Sequence, residues 1–448
     1  MKNSKSRKIL IILLILNFTF LILNLKNVFA LDAKRTVLPN GLIVLHSEKH
    51  NLPIVMVTLL VKASPLNEAE EKAGLANLTA ELLREGTKKR SSSEISEEIE
   101  FIGAYLDVSA GIDYTTVTLS VLKKDIKQGF ELFSDILLNP VFPEGEIKKK
   151  KELIKGYIRQ RQEDPSFIAE QTFKRGVFGE HPYGRLVEGS PETIDKIKRE
   201  DLTKFYSDYF LPNNSILSVV GDVTPEEVTS LIERYLGGWK RAEVKLVTAG
   251  KSEVRKIKKI SKIDRDLSQA NIILGHLGLS RDNPDYYAVS VMSYILGGGG
   301  FSSRLMRSIR NEKGLAYDVY SLFSANKEGG IFQVGVQTRN ESANTVIEEI
   351  LKQVERIRKE EVSEEELSDA KSYLTGSFPR RLDTNRKIAD FLASVEFYNL
   401  GLDYAEKYYG YINSVTKDSV LKVAKKYLDP ENYILVVVAD QEKASLKY

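Results

Sequence analysis

One stretch of this chain is written twice. "IDKIKREDLTKFYSDYFLPNNSILSVVGD" (Ile194 to Asp222) aligns without gaps to "INSVTKDSVLKVAKKYLDPENYILVVVAD" (Ile412 to Asp440). Each copy reads as an amphipathic helix, a Pro-Asn turn and a strand of nearly continuous β-branched and aliphatic residues. Pro212 matches Pro430, Asn214 matches Asn432 and Asp222 matches Asp440. A constant offset of this kind implies two structurally similar halves. The length of 448 residues agrees, being too great for one ordinary core.

The rest of each half follows one plan. In the first, "GLIVLHS" and "IVMVTLLVKAS" are strands, and Gly74 to Glu85 and Ser92 to Ile102 are helices. "YLDVSAGIDYTTVTLSVL" alternates as a hairpin does, and a helix follows from Ile126 to Leu138. The second half opens with the strand "QANIILGHLGL", a helix from Pro284 to Leu296 and the hairpin "YDVYSLFSANKEGGIFQVGVQT". "RAEVKLVTAGKSEVRKIKKISKID" lies between them, polar and without helical periodicity, and suits a linker. The expected fold class is α+β: two homologous domains, at 31–240 and 263–448, joined across 241–262. Each is a mainly antiparallel sheet covered by helices.

Composition narrows the function. The net charge of +3 comes from 65 basic and 62 acidic residues, which gives no electrostatic argument for nucleic acid. The run "KKKKE" (Lys148 to Glu152) is expected as a solvated helix face. With no cysteine, disulfides, thiolate zinc sites and cysteine nucleophiles are excluded, so any metal must be held by His, Asp and Glu. "MKNSKSRK" is a basic n-region, Ile9 to Leu25 an apolar run, and "VFA" (Val28 to Ala30) a small-residue cleavage site. Residues 1–30 therefore read as a secretory signal peptide, with an uncleaved membrane anchor as the alternative. An exported protein, periplasmic or extracellular, is expected.

Gly74 to Thr87, "GLANLTAELLREGT", frames an apolar helix between a Gly-Leu-Ala start and a Gly-Thr end. With the duplicated α+β plan and the later "GLAY" segment, it makes the chain resemble the pitrilysin/insulinase/mitochondrial-processing-peptidase family. The resemblance covers essentially everything after residue 30. It implies a LuxS/metallohydrolase-like fold, two homologous domains forming half of a clamshell around a peptide chamber. Active members carry H-x-x-E-H on the framed helix: two histidines bind zinc, the Glu activates water, and a distal Glu completes the site. Here Asn77 and Glu81 fall on the histidine positions, Ala80 on the general base, and Gly156 and Tyr157 near the distal Glu. The resemblance thus implies a degenerate zinc motif and no metal bound by this chain.

The four histidines offer no obvious replacement. "HSEKH" spaces His46 and His50 around Glu48, yet it sits where the first strand turns polar and is expected as an ordinary exposed strand end. His181 in "HPYG" is expected to be structural, and His276 to pack or hydrogen-bond within a strand.

"LGGGGFSSRLMRSIRNEKGLAYDVYS" (Leu296 to Ser321) resembles the family's carboxy-terminal signature. An Arg and a Tyr seven apart, here Arg310 and Tyr317, then bind substrate carbonyls and stabilise the oxyanion of peptide attack. Taken singly, Arg310 would be a residue near a helix end and Tyr317 a strand aromatic. Gly297, Gly298, Gly299, Gly300 and Phe301 form either a flexible substrate-contacting loop or a tight turn between helices.

The expectation is a non-catalytic subunit lending Arg310 and Tyr317 in trans to a homologous H-x-x-E-H zinc peptidase. Zinc belongs to that partner, and the heterodimer takes peptides or unfolded proteins. The alternatives are a non-enzymatic peptide-binding or assembly member of the family, and a self-sufficient enzyme with an unusual metal site.

Overall fold

The computed structural model describes residues 31–245 and 258–448. The expected leader at 1–30 and most of the expected linker lie outside them. The fold is α+β, with a six-stranded and a five-stranded sheet. The first contains β1 (Lys34–Val37), β2 (Ile43–Glu48), β3 (Ile54–Val61), β4 (Tyr105–Ala110), β5 (Thr115–Leu122) and β6 (Ser215–Gly221). Its order is β1-β2-β6-β3-β5-β4. The second contains β7 (Lys259–Asp264), β8 (Gln269–Leu277), β9 (Ala316–Ala325), β10 (Gly330–Arg339) and β11 (Ile434–Ala439). Its order is β7-β11-β8-β10-β9.

The two orders superimpose strand for strand once the extra edge strand β1 is set aside. The repeat strands β6 and β11 are interior, each parallel to one neighbour and antiparallel to the other. Every residue of both is buried. Burial on both faces is why these segments read as unbroken aliphatic runs. Lys259–Asp264, within the stretch that suits a linker, forms β7 instead. Its K-I-S-K-I-D sequence alternates, and the polar residues of this edge strand remain partly exposed.

The helices that carry the argument are α1 (Leu75–Leu82), α2 (Glu144–Arg161), α3 (Pro165–Phe178), α4 (Ala343–Lys359), α5 (Glu364–Ser377) and α6 (Asn385–Phe397). Ser363 opens α5 with a capping box, its side chain taking the Glu366 N–H while Glu366 takes the Ser363 N–H. In the first half Leu78, Phe130, Phe133 and the inner face of β3 make one core. In the second, α4 buries Val346, Ile347, Ile350, Val354 and Ile357 against β8 and β10.

The second face of each sheet is covered by a helix from the other half. Ile388, Ala389, Leu392, Ala393 and Phe397 of α6 pack on Leu45, Met56, Leu60, Ile216 and Val220 of the first sheet. Ala169, Phe173 and Phe178 of α3 pack on Ile273, Ile331, Ile434, Val436 and Val438 of the second. At about 1.5–3 kcal/mol per large buried apolar side chain, these exchanged faces make the halves mutually dependent. A polar knot lies between them. The buried Asp113, in the β4–β5 turn, accepts from the Tyr183 phenol, the Tyr398 phenol at 2.8 Å and the Lys327 N–H at 3.0 Å. Lys327 belongs to the β9–β10 turn, so the two hairpin tips meet at this carboxylate.

Candidate functional site

The framed helix α1 is held from its start. Gly74 has φ of +98°, and a Cβ there would lie 2.5 Å from the Glu188 carbonyl oxygen, so glycine is required. Glu68, itself buried, accepts from the Gly74 N–H at 3.0 Å and the Ala76 N–H at 2.9 Å, capping the helix with a carboxylate. Burial outweighs these bonds and pushes its pKa up to about 7. Leu75, Leu78, Leu82 and Leu83 are all buried, as the apolar run inside the frame leads one to expect.

The positions that would carry zinc chemistry have other partners. Ala80 is fully buried. The Asn77 amide donates to Glu81 Oε1 at 3.1 Å. Lys150 of α2 stands opposite, its Nζ 3.4 Å from Glu81 Oε2 and 3.0 Å from Glu85 Oε1. Burial would lower the Lys150 pKa, but the carboxylates raise it overall. Burial likewise opposes ionisation of Glu85, yet the Ser92 hydroxyl at 2.6 Å and Lys150 bring its pKa down. An ammonium held between two carboxylates thus lines, with Asn77, Arg84 and Asp107, the open cavity on the side of α1 toward which the motif faces. Tyr157 lies two turns beyond Lys150, half-exposed, with the Arg161 guanidinium 5.4 Å from its ring centroid. Gly156 is beside it, with open space where a Cβ would be.

The lysine run is therefore only half a solvated face. Lys148 and Lys149 are exposed, whereas Lys150 pairs as above and Lys151 donates to the Ile197 carbonyl at 2.5 Å. Helical spacing turns alternate pairs of this run outward and inward.

The histidines do not converge. His46 is buried, not exposed as its position near the strand end suggests, and its Nε2 lies 2.9 Å from the Val223 carbonyl. His50 is exposed and bridges Asp222 at 2.6 Å and Glu48 at 2.8 Å through opposite ring nitrogens. Those carboxylates raise its pKa, Asp222 most. His276 packs on Phe332, and burial lowers its pKa. His181 lies against Tyr183 and accepts its N–H at 3.2 Å. Among the described residues no group of three His, Asp or Glu side chains is placed to hold a metal ion.

The second constellation is assembled. The chain makes two wide π-helical turns, Tyr294–Gly298 and Met306–Glu312, and the glycine run begins inside the first and continues beyond it. Such turns are rare and frequent at functional sites. Arg310, in the second, lies with its guanidinium carbon 4.6 Å from the Phe301 ring centroid and 4.5 Å from that of Tyr317. Phe301 is 66% exposed and Tyr317 82%. Tyr317 owes its direction to a β-bulge: Val336 pairs with Val319 and Thr338 with Ala316, so Tyr317 and Asp318 share a single opposing residue. Among the described residues no hydrogen bond or ion pair engages the guanidinium of Arg310 or the hydroxyl of Tyr317.

Two ion pairs, the first largely buried and the second buried only at its carboxylate, fix the segment. Arg304 makes a bidentate pair with Glu366 of α5 at 2.7 and 2.8 Å. Glu349 of α4, 4% exposed, takes Lys313 at 2.7 Å, the Ser308 hydroxyl at 2.5 Å and the Gln353 amide at 2.8 Å. Burial opposes ionisation of Glu349, but Lys313, Ser308 and Gln353 hold its pKa at about 2. Neither glutamate stands out in a motif. The available signal is that Glu349 and Gln353 are polar at positions where the stripe of α4 calls for apolar residues. Within the glycine run, a Cβ on Gly297 would meet the Ser321 backbone N at 2.5 Å, and Gly300 has φ of +56°. Those two glycines serve the turn, while Gly298 and Gly300 are exposed.

Comparison with known proteins agrees with this architecture. Residues 43–190 match the family model for insulinase (peptidase family M16), and residues 196–374 match that for the peptidase M16 inactive domain. An uncharacterized zinc protease of Rickettsia bellii is 27% identical over 90% of this chain and 90% of its own. A non-peptidase homolog, YmxG, of Helicobacter pylori is 24% identical over 89% and 92% respectively. A solved peptidase M16 inactive domain from Pseudomonas fluorescens, 27% identical, superimposes with a TM-score of 0.85 over 91% of this chain and 98% of that one. A protease from Helicobacter pylori, 22% identical, shares the fold with a TM-score of 0.84 over 91% and 99%. With its two halves matched in order and the fold shared along nearly the whole described length, the chain belongs to the insulinase family of peptidases, family M16.

Proposed function

We propose that this chain is the non-catalytic subunit of an exported zinc peptidase heterodimer. It contributes Arg310 and Tyr317 to a hydrolytic centre whose zinc and general base belong to a homologous H-x-x-E-H subunit. The observation that carries the reading is the asymmetry between the two constellations. Among the described residues the partly exposed Arg310 and the exposed Tyr317 have no hydrogen-bond or ion-pair partner, and a braced segment and a bulge present them. At the framed helix, a buried Ala80 and an amide–carboxylate–ammonium cluster stand where ligands and base would be.

The donor set at α1 does not fit zinc. Structural and catalytic zinc sites use imidazole, thiolate and free carboxylate. Asn77 offers a neutral amide, and Glu81 is already paired with Asn77 and Lys150.

When a peptide carbonyl is attacked in the partner's site, negative charge grows on its oxygen. A guanidinium and a phenol pointed at that oxygen lower the barrier, because the charge they bind is greatest in the transition state. The substrate class is peptide or unfolded protein, with exposed Gly298 and Gly300 bordering the donors. The basic and apolar leader at 1–30 is what supports export.

The test is co-purification of the chain from its native host, with mass-spectrometric identification and zinc analysis of what co-elutes. A stoichiometric homologue bearing H-x-x-E-H and one zinc per pair supports the reading. Recovery of this chain alone, with its own zinc and peptidase activity, overturns it.

A further inference from the structure

The Arg310 guanidinium carbon lies over two aromatic rings, Phe301 and Tyr317, and only one of those aromatics has a role so far. Phe301 keeps most of its surface in water, so burial of its own ring does not explain its place. It is held firmly all the same. Gly300, with φ of +56°, turns the chain into it, and the Ser303 hydroxyl closes the turn on the Gly300 carbonyl at 2.8 Å. Arg304 then bolts the following residue to Glu366. The result is a ring that projects from a fixed turn and comes to rest over Arg310.

We propose that Phe301 is a positioning residue for Arg310, and that it acts through the guanidinium and not by contacting substrate. An arginine on a protein surface samples many rotamers, and each productive bond then requires ordering. Cation–π attraction draws the guanidinium charge over the ring face and requires no hydrogen-bond acceptor, so it leaves the five N–H donors available. Phe301 and Tyr317 therefore select one orientation of Arg310 without consuming a donor. This inference rests on the reading that Arg310 serves a partner's hydrolytic site.

The experiment uses the complex with its zinc-bearing partner and three variants of this chain: Phe301→Leu, Phe301→Trp and Arg310→Ala. Phe301→Leu should lower kcat by about 2- to 5-fold with KM little changed, the size expected for one exposed cation–π contact. Phe301→Trp should restore turnover, because the face is kept. On the Arg310→Ala background, Phe301→Leu should cost nothing further. In the isolated chain, the Arg310 Nε–H resonance should carry a ring-current displacement that Phe301→Leu changes. A raised KM with kcat intact would show that Phe301 touches substrate, and a loss that persists without Arg310 would show that it acts elsewhere. Either outcome, or an unmoved Arg310 resonance, overturns the inference. If Arg310→Ala itself leaves turnover intact, the proposed function fails first.

Discussion

At the scale of single residues, the segment that carries Arg310 and Tyr317 depends on buried carboxylates that only the fold reveals. Glu349 is the clearest case: a nearly inaccessible carboxylate with three donors, Ser308 and Lys313 from or next to the segment that carries Arg310 and Gln353 from α4 itself. Glu349→Gln should lower unfolding free energy by roughly 1–3 kcal/mol in urea titrations at neutral pH, because buried donors lose a charged acceptor. Its folded pKa lies below the ordinary carboxylate value, so its stabilisation is complete above about pH 4.5 and fades as the pH falls toward about 2. The stability gap between the wild type and Glu349→Gln should therefore narrow across that window. Arg310 and Tyr317 were legible as a motif because their spacing survives in the sequence. Lys150 was not, because nothing in "KKKKE" shows which lysine turns inward until α1 is packed against α2.

Among elements, the helices and hairpins follow the patterns in the sequence closely, and the departures have local causes. The helix expected from Pro284 to Leu296 changes to π-helical turns from Tyr294, where the chain approaches Ser321 so closely that only Gly297 fits. The bulge in β9 was invisible in the sequence, since alternation breaks there by one residue inside a run of mixed polarity. α1 provides the sharpest element-scale prediction. Gly74→Ala forces a side chain into positive φ and against the Glu188 carbonyl, and should cost roughly 2–4 kcal/mol by thermal or urea unfolding. Because α1 carries no donor of the assisting pair, the same variant should leave peptide turnover by an assembled complex near wild type below its unfolding temperature.

Across the whole molecule, duplication was written in the repeat, but the exchange of covering helices was not. Amphipathicity says that α3 and α6 each bury a face; it does not say which sheet receives it. The apolar stripes through Phe173 and Leu392 would fit a sheet of either half equally well by composition, and chain connectivity decides. The halves should consequently unfold together. Calorimetry should show one transition for the mature chain, and residues 31–245 expressed alone should bind hydrophobic dye through the uncovered face of β3 and β6. Asp113→Ala, which removes the acceptor shared by Tyr183, Tyr398 and Lys327, should lower the midpoint of that single transition.

The most direct measurement is peptide turnover by the assembled complex, with wild-type chain and with Arg310→Ala, alongside its mass in solution. Loss of one transition-state donor predicts a fall of about 100- to 1000-fold at unchanged mass. Undiminished turnover in an intact complex would contradict the claim that this subunit lends its donors to a neighbour's zinc.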